Sequence, residues 1–400
     1  MINRKMYELG SKRSEIRELF EYGNKRRAEI GADKVFDFSL GNPSVPSPSS
    51  VSCGLAELIS ECPPTTLHAY TSAQGDASVR AAVAEYINKT EGTSFSADDL
   101  YMTVGAAAAL TCSLTALVNP GEEVIVLAPY FPEYKVFIER CGGVVREVMS
   151  DPVSFQPDIS AISAAISERT AAIIVNSPNN PTGAVIKESN IKALSAVLRA
   201  GEEKFSRDIY LIADEPYREL VYDGVKVPYL TKYYHNTLVC YSYSKSLSLP
   251  GERIGYVLVS PECNLAKEVY LAVCGAGRAL GYVCAPSMLQ RLLPKVLGDT
   301  SDISVYDRNR RLLLKSLTEY GFEVVKPEGA FYLFLKSPIA DAREFSEAAK
   351  RYELLLVPSD SFGCGGYIRI SYCVKTEQIE AALPSFKKLA QYYNLECKNG

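Results

Sequence analysis

Tryptophan is absent from this 400-residue chain, and histidine occurs only at His68 and His235, far apart in the sequence. Two distant histidines count against a histidine-rich zinc site and against Ser-His-Asp catalysis. None of the eleven cysteines belongs to a CxxC pair, so we expect no zinc ribbon, no thioredoxin-like redox motif and no metal site. Their odd number and irregular spacing predict free, reduced thiols, which are typical of a cytoplasmic protein.

Long apolar segments and an excess of positive charge are also missing. The longest apolar stretch, 104–118, is interrupted by Thr111, Ser113 and Thr115 and is shorter than the ~20 residues that a membrane-spanning helix needs. Residues 1–13 lack the apolar region of a secretory signal. The 43 basic and 47 acidic residues give a net charge of −4, which offers no attraction to nucleic acid or anionic lipid. We therefore expect neither a nucleic-acid partner nor a membrane partner.

The middle of the chain alternates short apolar runs with helical segments. Hydrophobic residues make up 47% of the chain and charged residues 22%, as in ordinary globular proteins, and the length suggests two domains. This alternation favours an α/β fold in which a mostly parallel sheet is flanked by helices. Strands are predicted at 99–104, 122–129, 144–149, 171–176, 208–214, 237–242 and 254–260, and helices at 106–118, 133–143 and 191–201.

The pattern changes after about residue 285, where charged amphipathic helices and short strands follow one another. Residues 306–321 predict one such helix, and residues 12–31 predict a charged helix that can pack beside it. We interpret these segments as a smaller α+β domain. The predicted division assigns 45–285 to a large domain and combines 1–44 with 286–400 in the small domain.

Residues that could hold a charged ligand follow several of the predicted strands, where ligands of such sheets bind. They are Gly105 at the start of a helix, Asn180 in a turn, Asp214 at a strand end, and Lys245 among serines with Arg253 eight residues later. A lysine amine can form a Schiff base with an aldehyde, and an aspartate can keep a pyridine nitrogen protonated. Arginine, hydroxyls and a helix N-terminus can hold a phosphate. Together these requirements are those of pyridoxal 5′-phosphate.

Three ordered motifs carry a family resemblance. They are NNPTG (179–183), DEPY (214–217) and SYSK (242–245), and they resemble the motifs of the class I and II aminotransferases. The resemblance extends from SLGNPSVPSP (39–48) to YIRISY (367–372). It implies a pyridoxal-phosphate enzyme of fold type I, similar to the aspartate and aromatic aminotransferases, whose large domain binds the cofactor.

The resemblance implies catalytic roles for Lys245, Asp214 and Tyr217. Lys245 resembles the lysine that binds the cofactor aldehyde and later carries the substrate proton. Asp214 resembles the partner of the ring nitrogen, and Tyr217 resembles a donor to the ring oxygen. The other implied cofactor contacts are Gly105, Ala106, Ala107, Ser242, Ser244 and Arg253 at the phosphate, Asn180 at the ring oxygen, and Tyr130 stacked on the ring.

Gly41, Asn180 and Arg369 resemble residues that contact the substrate. The planar guanidinium of Arg369 suits two-pronged binding of an α-carboxylate. Tyr70 resembles a tyrosine that reaches the cofactor phosphate of the neighbouring subunit, which implies a homodimer with shared active sites. Arg278, in a loop-like stretch, is a candidate for binding a second substrate carboxylate, although an ordinary solvated loop charge is the simpler interpretation.

The implied activity is transfer of the amino group of an L-amino acid, aspartate or aromatic, to a 2-oxo acid such as 2-oxoglutarate. Two alternatives remain open. A carbon–sulfur β-lyase would use the same lysine and arginine, and a non-catalytic ligand-binding protein would keep the fold. The segment before residue 39 is too short for a fused DNA-binding domain. The GxGxxxG pattern at 275–281 follows a helical segment rather than a strand, so it does not predict dinucleotide binding.

Overall fold

The structure is a computed structural model that describes residues 2–11 and 14–396. The predictions that involve residues 1, 12, 13 and 397–400, at the ends of the N-terminal segments and of the small domain, lie outside the described residues. Two layers of helices enclose a large sheet, and a second, smaller sheet carries its own helices.

The helices are α1 (Arg4–Ser11), α2 (Glu15–Ile30), α3 (Ser49–Glu61), α4 (Pro64–Leu67), α5 (Ala77–Glu91), α6 (Ala106–Leu117), α7 (Glu133–Arg140), α8 (Ile159–Ala165), α9 (Glu188–Phe205), α10 (Ala266–Ala279), α11 (Ser287–Val296), α12 (Ile303–Glu319), α13 (Ala342–Lys350) and α14 (Thr376–Tyr392). The strands are β1 (Phe36–Asp37), β2 (Leu100–Thr103), β3 (Glu123–Ala128), β4 (Val144–Met149), β5 (Thr170–Asn176), β6 (Tyr210–Asp214), β7 (Thr237–Ser242), β8 (Gly255–Val259), β9 (Val324–Val325), β10 (Tyr332–Lys336), β11 (Leu354–Leu355), β12 (Val357–Pro358) and β13 (Tyr367–Ser371). Short 3₁₀ helices lie at Ala32–Lys34, Ala97–Asp99, Leu230–Lys232 and Ser359–Phe362.

The large sheet has seven strands in the order β2-β8-β7-β6-β5-β3-β4. Neighbours from β7 across to β4 are parallel, whereas β8 is antiparallel to both β2 and β7. The strands β2, β3, β5, β7 and β8 are buried along their whole length, as expected for strands covered on both faces. The predicted α/β fold with a mostly parallel sheet flanked by helices is confirmed.

Parallel pairing places the carboxyl ends of β3, β5, β6 and β7 at one edge of the sheet. The register sets Asn176, the last residue of β5, directly beside Asp214, the last residue of β6. The segments that follow these strands carry most of the predicted site residues. The topology therefore gathers at this one edge side chains from segments that are far apart in sequence.

The smaller sheet is antiparallel, with strand order β12-β13-β10-β9. Its helices α12, α13 and α14 share one apolar core that also takes in Phe38, from the segment that follows β1. Two further contacts attach the N-terminal segment to this domain. Strand β1 pairs with β11, and Leu19 of α2 packs against Val357 and Phe362. Within residues 2–11 and 14–396, no helix is both long and apolar enough to cross a membrane.

The segment around the predicted boundary at residue 285 packs differently from the expected division. The buried leucines of α11, Leu289, Leu292 and Leu293, lie in the same core as Val51 and Val83 of the large domain. The helix itself packs against α3 and α5. An amphipathic helix belongs with the core that its apolar face fills, so this packing favours a division after α11 rather than before it.

Arg278 lies in the last turn of α10, not in the loop that the glycines around it suggest. Gly277 lies inside this helix, where a Cβ would collide with the hydroxyl of Tyr101. The glycine therefore permits a close approach of the helix to β2 rather than ending the helix. The side chain of Arg278 is exposed and does not line the cavity described next.

Candidate active site

A cavity of about 310 Å³ lies at the carboxyl edge of the seven-stranded sheet. It is lined by residues of the large sheet's connections and by residues of the small domain. Most of the predicted site residues meet here, although their motifs are far apart in sequence. The predicted residues that line it are Gly41, Ala106, Ala107, Asn180, Asp214, Tyr217, Ser242, Ser244, Lys245, Arg253 and Arg369.

Lys245 is the amine of this cavity. Its Nζ donates a hydrogen bond of 2.7 Å to the backbone oxygen of Gly41 and lies 5.4 Å from the centre of the Phe331 ring. Burial, together with the smaller effects of the positive charges of Arg253 and Arg369, lowers the pKa of Lys245 to about 8. A large fraction of this amine is therefore neutral and nucleophilic near pH 8.

Asp214 presents one free carboxylate oxygen to the cavity region. Its Oδ2 accepts a hydrogen bond of 2.5 Å from the hydroxyl of Tyr134, whereas its Oδ1 is buried and has no partner among the described residues. Burial raises the pKa of Asp214 to about 7, against the lowering effect of the Tyr134 hydrogen bond. An unpartnered buried carboxylate oxygen is costly, so this atom is suited to a cationic N–H donor from a ligand.

The opposite end of the cavity is suited to an anion. The helix α6 starts at Ala106, after Gly105, and the N–H groups of Ala106 and Ala107 lie in its first turn, where helix donors lack partners within the helix. A Cβ at Gly105, whose φ is +88°, would come within 2.9 Å of the Arg253 guanidinium. Gly105 thus lies beside the cavity, and its missing side chain keeps the space between helix and guanidinium open.

The two serines of the SYSK motif complete this end. The hydroxyls of Ser242 and Ser244 lie 2.6 Å apart, and both residues line the cavity. Arg253 is exposed at the cavity and donates to the backbone oxygen of Pro250 at 3.0 Å. Hydroxyls, a guanidinium and a helix N-terminus at one place form a set of donors typical of a phosphate site.

Arg369 lies fully buried in β13 at the small-domain side of the cavity. It donates to the Asn180 side-chain oxygen at 3.2 Å and to the backbone oxygen of Ser39 at 2.5 Å, while its Nε has no partner within residues 2–11 and 14–396. Burial lowers the pKa of this guanidinium below its usual range. None of these partners is a carboxylate, so the buried charge is suited to a carboxylate ligand.

Tyr217 and Asn180 line the same cavity as the amine and the guanidinium. The Tyr217 hydroxyl is 2.9 Å from the hydroxyl of Tyr332, and the ring of Tyr332 lies under the Arg369 guanidinium at 4.7 Å. Asn180 is fixed by a backbone hydrogen bond to the side chain of Asn176 at 2.8 Å. These bonds hold two polar side chains in one orientation toward the cavity.

Tyr130 lies outside this cavity, in contrast to the expectation that it stacks on a cofactor ring. Its hydroxyl donates to Glu147 at 3.0 Å, on β4, and its ring lines a small neighbouring void. The aromatic side chain of this loop that lines the cavity is that of Phe131. Adjacent residues of a turn point in different directions. Phe131, rather than Tyr130, is therefore the candidate for stacking on a cofactor ring.

Tyr70 does not reach this cavity either, because its side chain is 88% exposed in the single chain. The prediction that it contacts a neighbouring subunit therefore stays a prediction. Within the described residues, no group of three or more histidine, cysteine, aspartate or glutamate side chains is placed to hold a metal ion.

Sequence reasoning missed several residues that line the cavity or support it, among them Ile16, Phe131, Tyr134, Asn176 and Tyr332. A local signal existed for Asn176, which ends β5, for Phe131 in the loop after β3, and for Tyr134 in the first turn of α7. Ile16 and Tyr332 come from the small domain, and no local pattern indicated that they approach the cavity.

Removal of the Tyr134 hydroxyl tests its support of Asp214. In Tyr134→Phe the carboxylate loses the hydrogen bond that stabilises its charged form, so the pKa of Asp214 rises. We expect turnover to fall about 10-fold and the acid limb of the pH profile of kcat to move to higher pH. Tyr22→Phe, a half-exposed tyrosine of α2, is the matched control, and an unshifted acid limb in Tyr134→Phe would contradict the role.

Comparison with known proteins gives consistent matches along the chain. A family model described as aminotransferase class I and II matches residues 33–386. The chain is 29% identical to aromatic-amino-acid aminotransferase 2 of Thermococcus litoralis, over 94% of this chain and 95% of the relative. It is 31% identical to the aspartate/prephenate aminotransferase of Thermus thermophilus, over 80% and 83% of the two chains.

Solved structures agree with these matches. An amino transferase from Eubacterium rectale superposes with a TM-score of 0.97 at 54% identity, covering 98% of this chain and 99% of the other. The aspartate aminotransferase of Thermus thermophilus with maleate superposes with a TM-score of 0.86 at 27% identity, covering 97% and 99%.

Proposed function

Because the chain belongs to the class I and II aminotransferases, we propose that its cavity transfers the amino group of an aromatic or aspartate-type L-amino acid to a 2-oxo acid such as 2-oxoglutarate. The predicted family, enzyme class and cofactor, pyridoxal phosphate, are confirmed by the family match. The preferred substrates and the roles of individual residues are the proposal.

The residues of the cavity fit pyridoxal phosphate. The unpartnered Oδ1 of Asp214 suits a protonated ring nitrogen, and the donors around Ala106, Ser242 and Arg253 suit a phosphate. The side chain of Lys245 lies in the same cavity as both groups. This joint placement of an amine, a free carboxylate oxygen and an anion site is the observation that carries the proposal.

The bound cofactor supplies an aldehyde that captures amino groups and a ring that accepts the electron pair left at the substrate Cα. Lys245 acts as the nucleophile and then carries the Cα proton, for which its pKa of about 8 is suited. Asp214 keeps the ring nitrogen protonated. Asn180 and Tyr217 donate to the ring oxygen, and Phe131 covers one face of the ring.

Arg369 is proposed to bind the substrate α-carboxylate, since it is a buried cation without a carboxylate partner. In Arg369→Lys we expect KM for amino acids to rise about 10- to 100-fold with a much smaller change in cofactor affinity, because the two-pronged geometry is lost. Steady-state kinetics and a cofactor titration measure the two effects separately. An equal loss of cofactor affinity would mean that Arg369 serves the fold instead.

The wall beside Arg369 favours an apolar substrate side chain. Ile16, Leu110, Phe131 and Tyr332 contribute largely apolar surface. The basic residues that line the cavity within one chain are Lys245, Arg253 and Arg369, and each already has a role. We therefore rank an aromatic donor before aspartate, and Arg278 is not needed for this assignment.

A substrate panel tests the proposed reaction. The cofactor-loaded enzyme is incubated with each of the common L-amino acids and either 2-oxoglutarate or pyruvate, and the new amino acid is quantified. Fastest glutamate formation from phenylalanine or tyrosine is the expected result. Pyruvate and ammonia released from cystathionine without an added oxo acid would instead indicate a β-lyase, and a cofactor-binding protein without turnover would indicate a ligand-binding role.

We further propose that the active unit is a homodimer with shared sites. Support comes from large apolar side chains that are exposed in the single chain, including Ile59, Tyr70 and Val283. The exposed Tyr70 is then free to reach a partner's phosphate. Sedimentation equilibrium of the holoenzyme measures the assembly, and the mass of a single chain would contradict it.

The domain division and the location complete the proposal. The large cofactor-binding domain is proposed to run from about residue 45 through α11, with the N-terminal segment and the remainder forming the small domain. If the amides of α11 exchanged hydrogen at the rate of the small domain instead of that of the large domain, this division would be contradicted. The ten cysteines of the described residues are free thiols, which supports a reducing, cytoplasmic location testable by cell fractionation.

A further inference from the structure

A second cavity, of about 440 Å³, lies behind the candidate active site and shares no lining residue with it. The alternation of side chains near the end of β7 separates the two. Ser242 lines the active-site cavity, whereas Tyr241, the residue before it, lines the second cavity. The segment after β6 likewise contributes to both cavities, because Tyr217 lines the active-site cavity and Glu219 lines the second cavity.

Tyrosine dominates the wall of this second cavity. The rings of Tyr241 and Tyr256 stack at 5.1 Å, and Tyr243 packs against both with its ring at a steep angle. Tyr86 of α5 and Tyr229 complete the set. Aromatic rings carry negative charge on their faces, and cavities walled by several of them are suited to organic cations.

A carboxylate with a free oxygen lies among these rings. Glu219 accepts a hydrogen bond from the Tyr241 hydroxyl on Oε1 at 2.8 Å, but its Oε2 is buried and has no partner in the part of the chain that the structure describes. The hydroxyl of Tyr229, a residue that is 4% exposed, also lacks a partner. Burial raises the pKa of Glu219 above its ordinary value, as expected for a carboxyl group without a nearby free cation.

The one guanidinium of this region is already engaged. Arg218 is bound to Glu91 at 2.9 Å and to Glu215 at 3.1 Å, so two carboxyl groups already share this arginine. Lys226 also lines the cavity, but its side chain is exposed to solvent. The Arg218 guanidinium, which also lies 4.7 Å from the centre of the Tyr229 ring, is thus paired, whereas Glu219 keeps one oxygen without a partner among the described residues.

We propose that the second cavity binds a small organic ammonium ion that carries alkyl groups and at least one N–H. The N–H donates to Oε2 of Glu219, and the alkyl groups pack against the tyrosine rings. This site is independent of the proposed transamination. It adds a ligand that is neither cofactor nor substrate.

Trimethylammonium is the probe, because a tertiary amine cannot condense with the cofactor aldehyde and so does not react at Lys245. Calorimetric titration of the cofactor-loaded enzyme, at a pH where the probe keeps its proton, should give saturable binding. Tetramethylammonium has no N–H and should bind about 10-fold more weakly. The uncharged tert-butanol should show no saturable binding, and the absence of saturable heat with trimethylammonium would overturn the proposal.

Two substitutions place the binding in this cavity. Glu219→Gln should weaken trimethylammonium binding at least about 10-fold, because the charge that the ammonium faces is removed. Tyr86→Leu keeps an apolar side chain but removes a half-buried ring, and should weaken binding about 3- to 10-fold. Glu380→Gln, at an exposed position of α14, is the matched control.

Retention of the visible cofactor absorbance shows that each variant is folded. An affinity unchanged in Glu219→Gln overturns the proposal, and Tyr86→Leu decides the question should the first variant not fold. Unchanged absorbance during the trimethylammonium titration is expected, because the probe stays away from Lys245. A spectral change of the cofactor that tracks the binding heat would place the probe in the active site and would equally overturn it.

Discussion

Turnover of the cofactor-loaded enzyme is expected to fall by at least about 10³-fold when Lys245 is replaced by alanine, because one side chain supplies both the nucleophile and the proton carrier. Lys245 is the single amine that lines the cavity within the described residues. The other basic side chains there are guanidinium groups, which do not give up a proton in proteins. No neighbouring group can therefore replace the lost function.

Cofactor binding should survive this substitution in weakened form. The proposed phosphate donors around Ala106, Ser242 and Arg253 and the proposed ring-nitrogen partner Asp214 line the cavity independently of Lys245. The visible absorbance of the lysine-linked cofactor should be lost while noncovalent binding remains measurable by dialysis. Lys267→Ala, at an exposed position of α10, is the control. Substantial residual transamination by Lys245→Ala would contradict the assignment.

The placement of Lys245, Asp214 and Asn180 could be predicted from the sequence for a simple topological reason. Each follows a strand of a parallel sheet, and the carboxyl ends of such strands meet at one edge. Local sequence patterns identified the strands. The order of strands and motifs along the chain then predicted that the motifs lie together at the sheet edge. The same patterns predicted the small domain with its amphipathic helices.

Contacts that depend on packing between distant segments could not be predicted in this way. The Tyr134–Asp214 hydrogen bond joins residues 80 positions apart, and its geometry depends on how α7 packs on the sheet. Tyr332 and Ile16 reach the cavity only because the small domain closes over the edge of the sheet. The choice between Tyr130 and Phe131 depends on the direction of two adjacent side chains in a turn, which hydrophobic periodicity does not specify.

The fold differs from expectation at Arg278, which lies in a helix instead of a loop, and at α11, which packs against the large domain. Glycine and leucine packing explains both differences. The glycines around Arg278 indicated a loop, but Gly277 is needed where α10 crosses close to Tyr101. The leucine pattern of α11 is compatible with packing against either domain. Only the three-dimensional packing shows that these leucines fill the core that contains Val51 and Val83. Periodicity identifies an apolar face, but it does not identify the core that this face fills.

Replacement of Asp214 by asparagine should lower kcat by about 10²- to 10³-fold, the second largest effect expected at this site. Asparagine keeps the shape and can still accept a hydrogen bond from Tyr134, but it has no charge to hold the ring nitrogen protonated. The electron pair left at the substrate Cα is then poorly accommodated. Among the described residues the buried Oδ1 of Asp214 has no competing partner, so this oxygen is available to the ligand.

Asp214→Glu separates charge from position in this prediction. It retains the carboxylate on a longer side chain and should recover part of the activity that Asp214→Asn loses. The control is Asp33→Asn, at an exposed position near the N-terminus, which should behave as the unmodified enzyme. Stopped-flow measurement of substrate deprotonation under single-turnover conditions isolates the step that depends on the ring charge. A fall in that rate of less than about 3-fold in Asp214→Asn would show that the charge of Asp214 does not act on the ring, because a buried charge pair of this kind is otherwise expected to contribute far more.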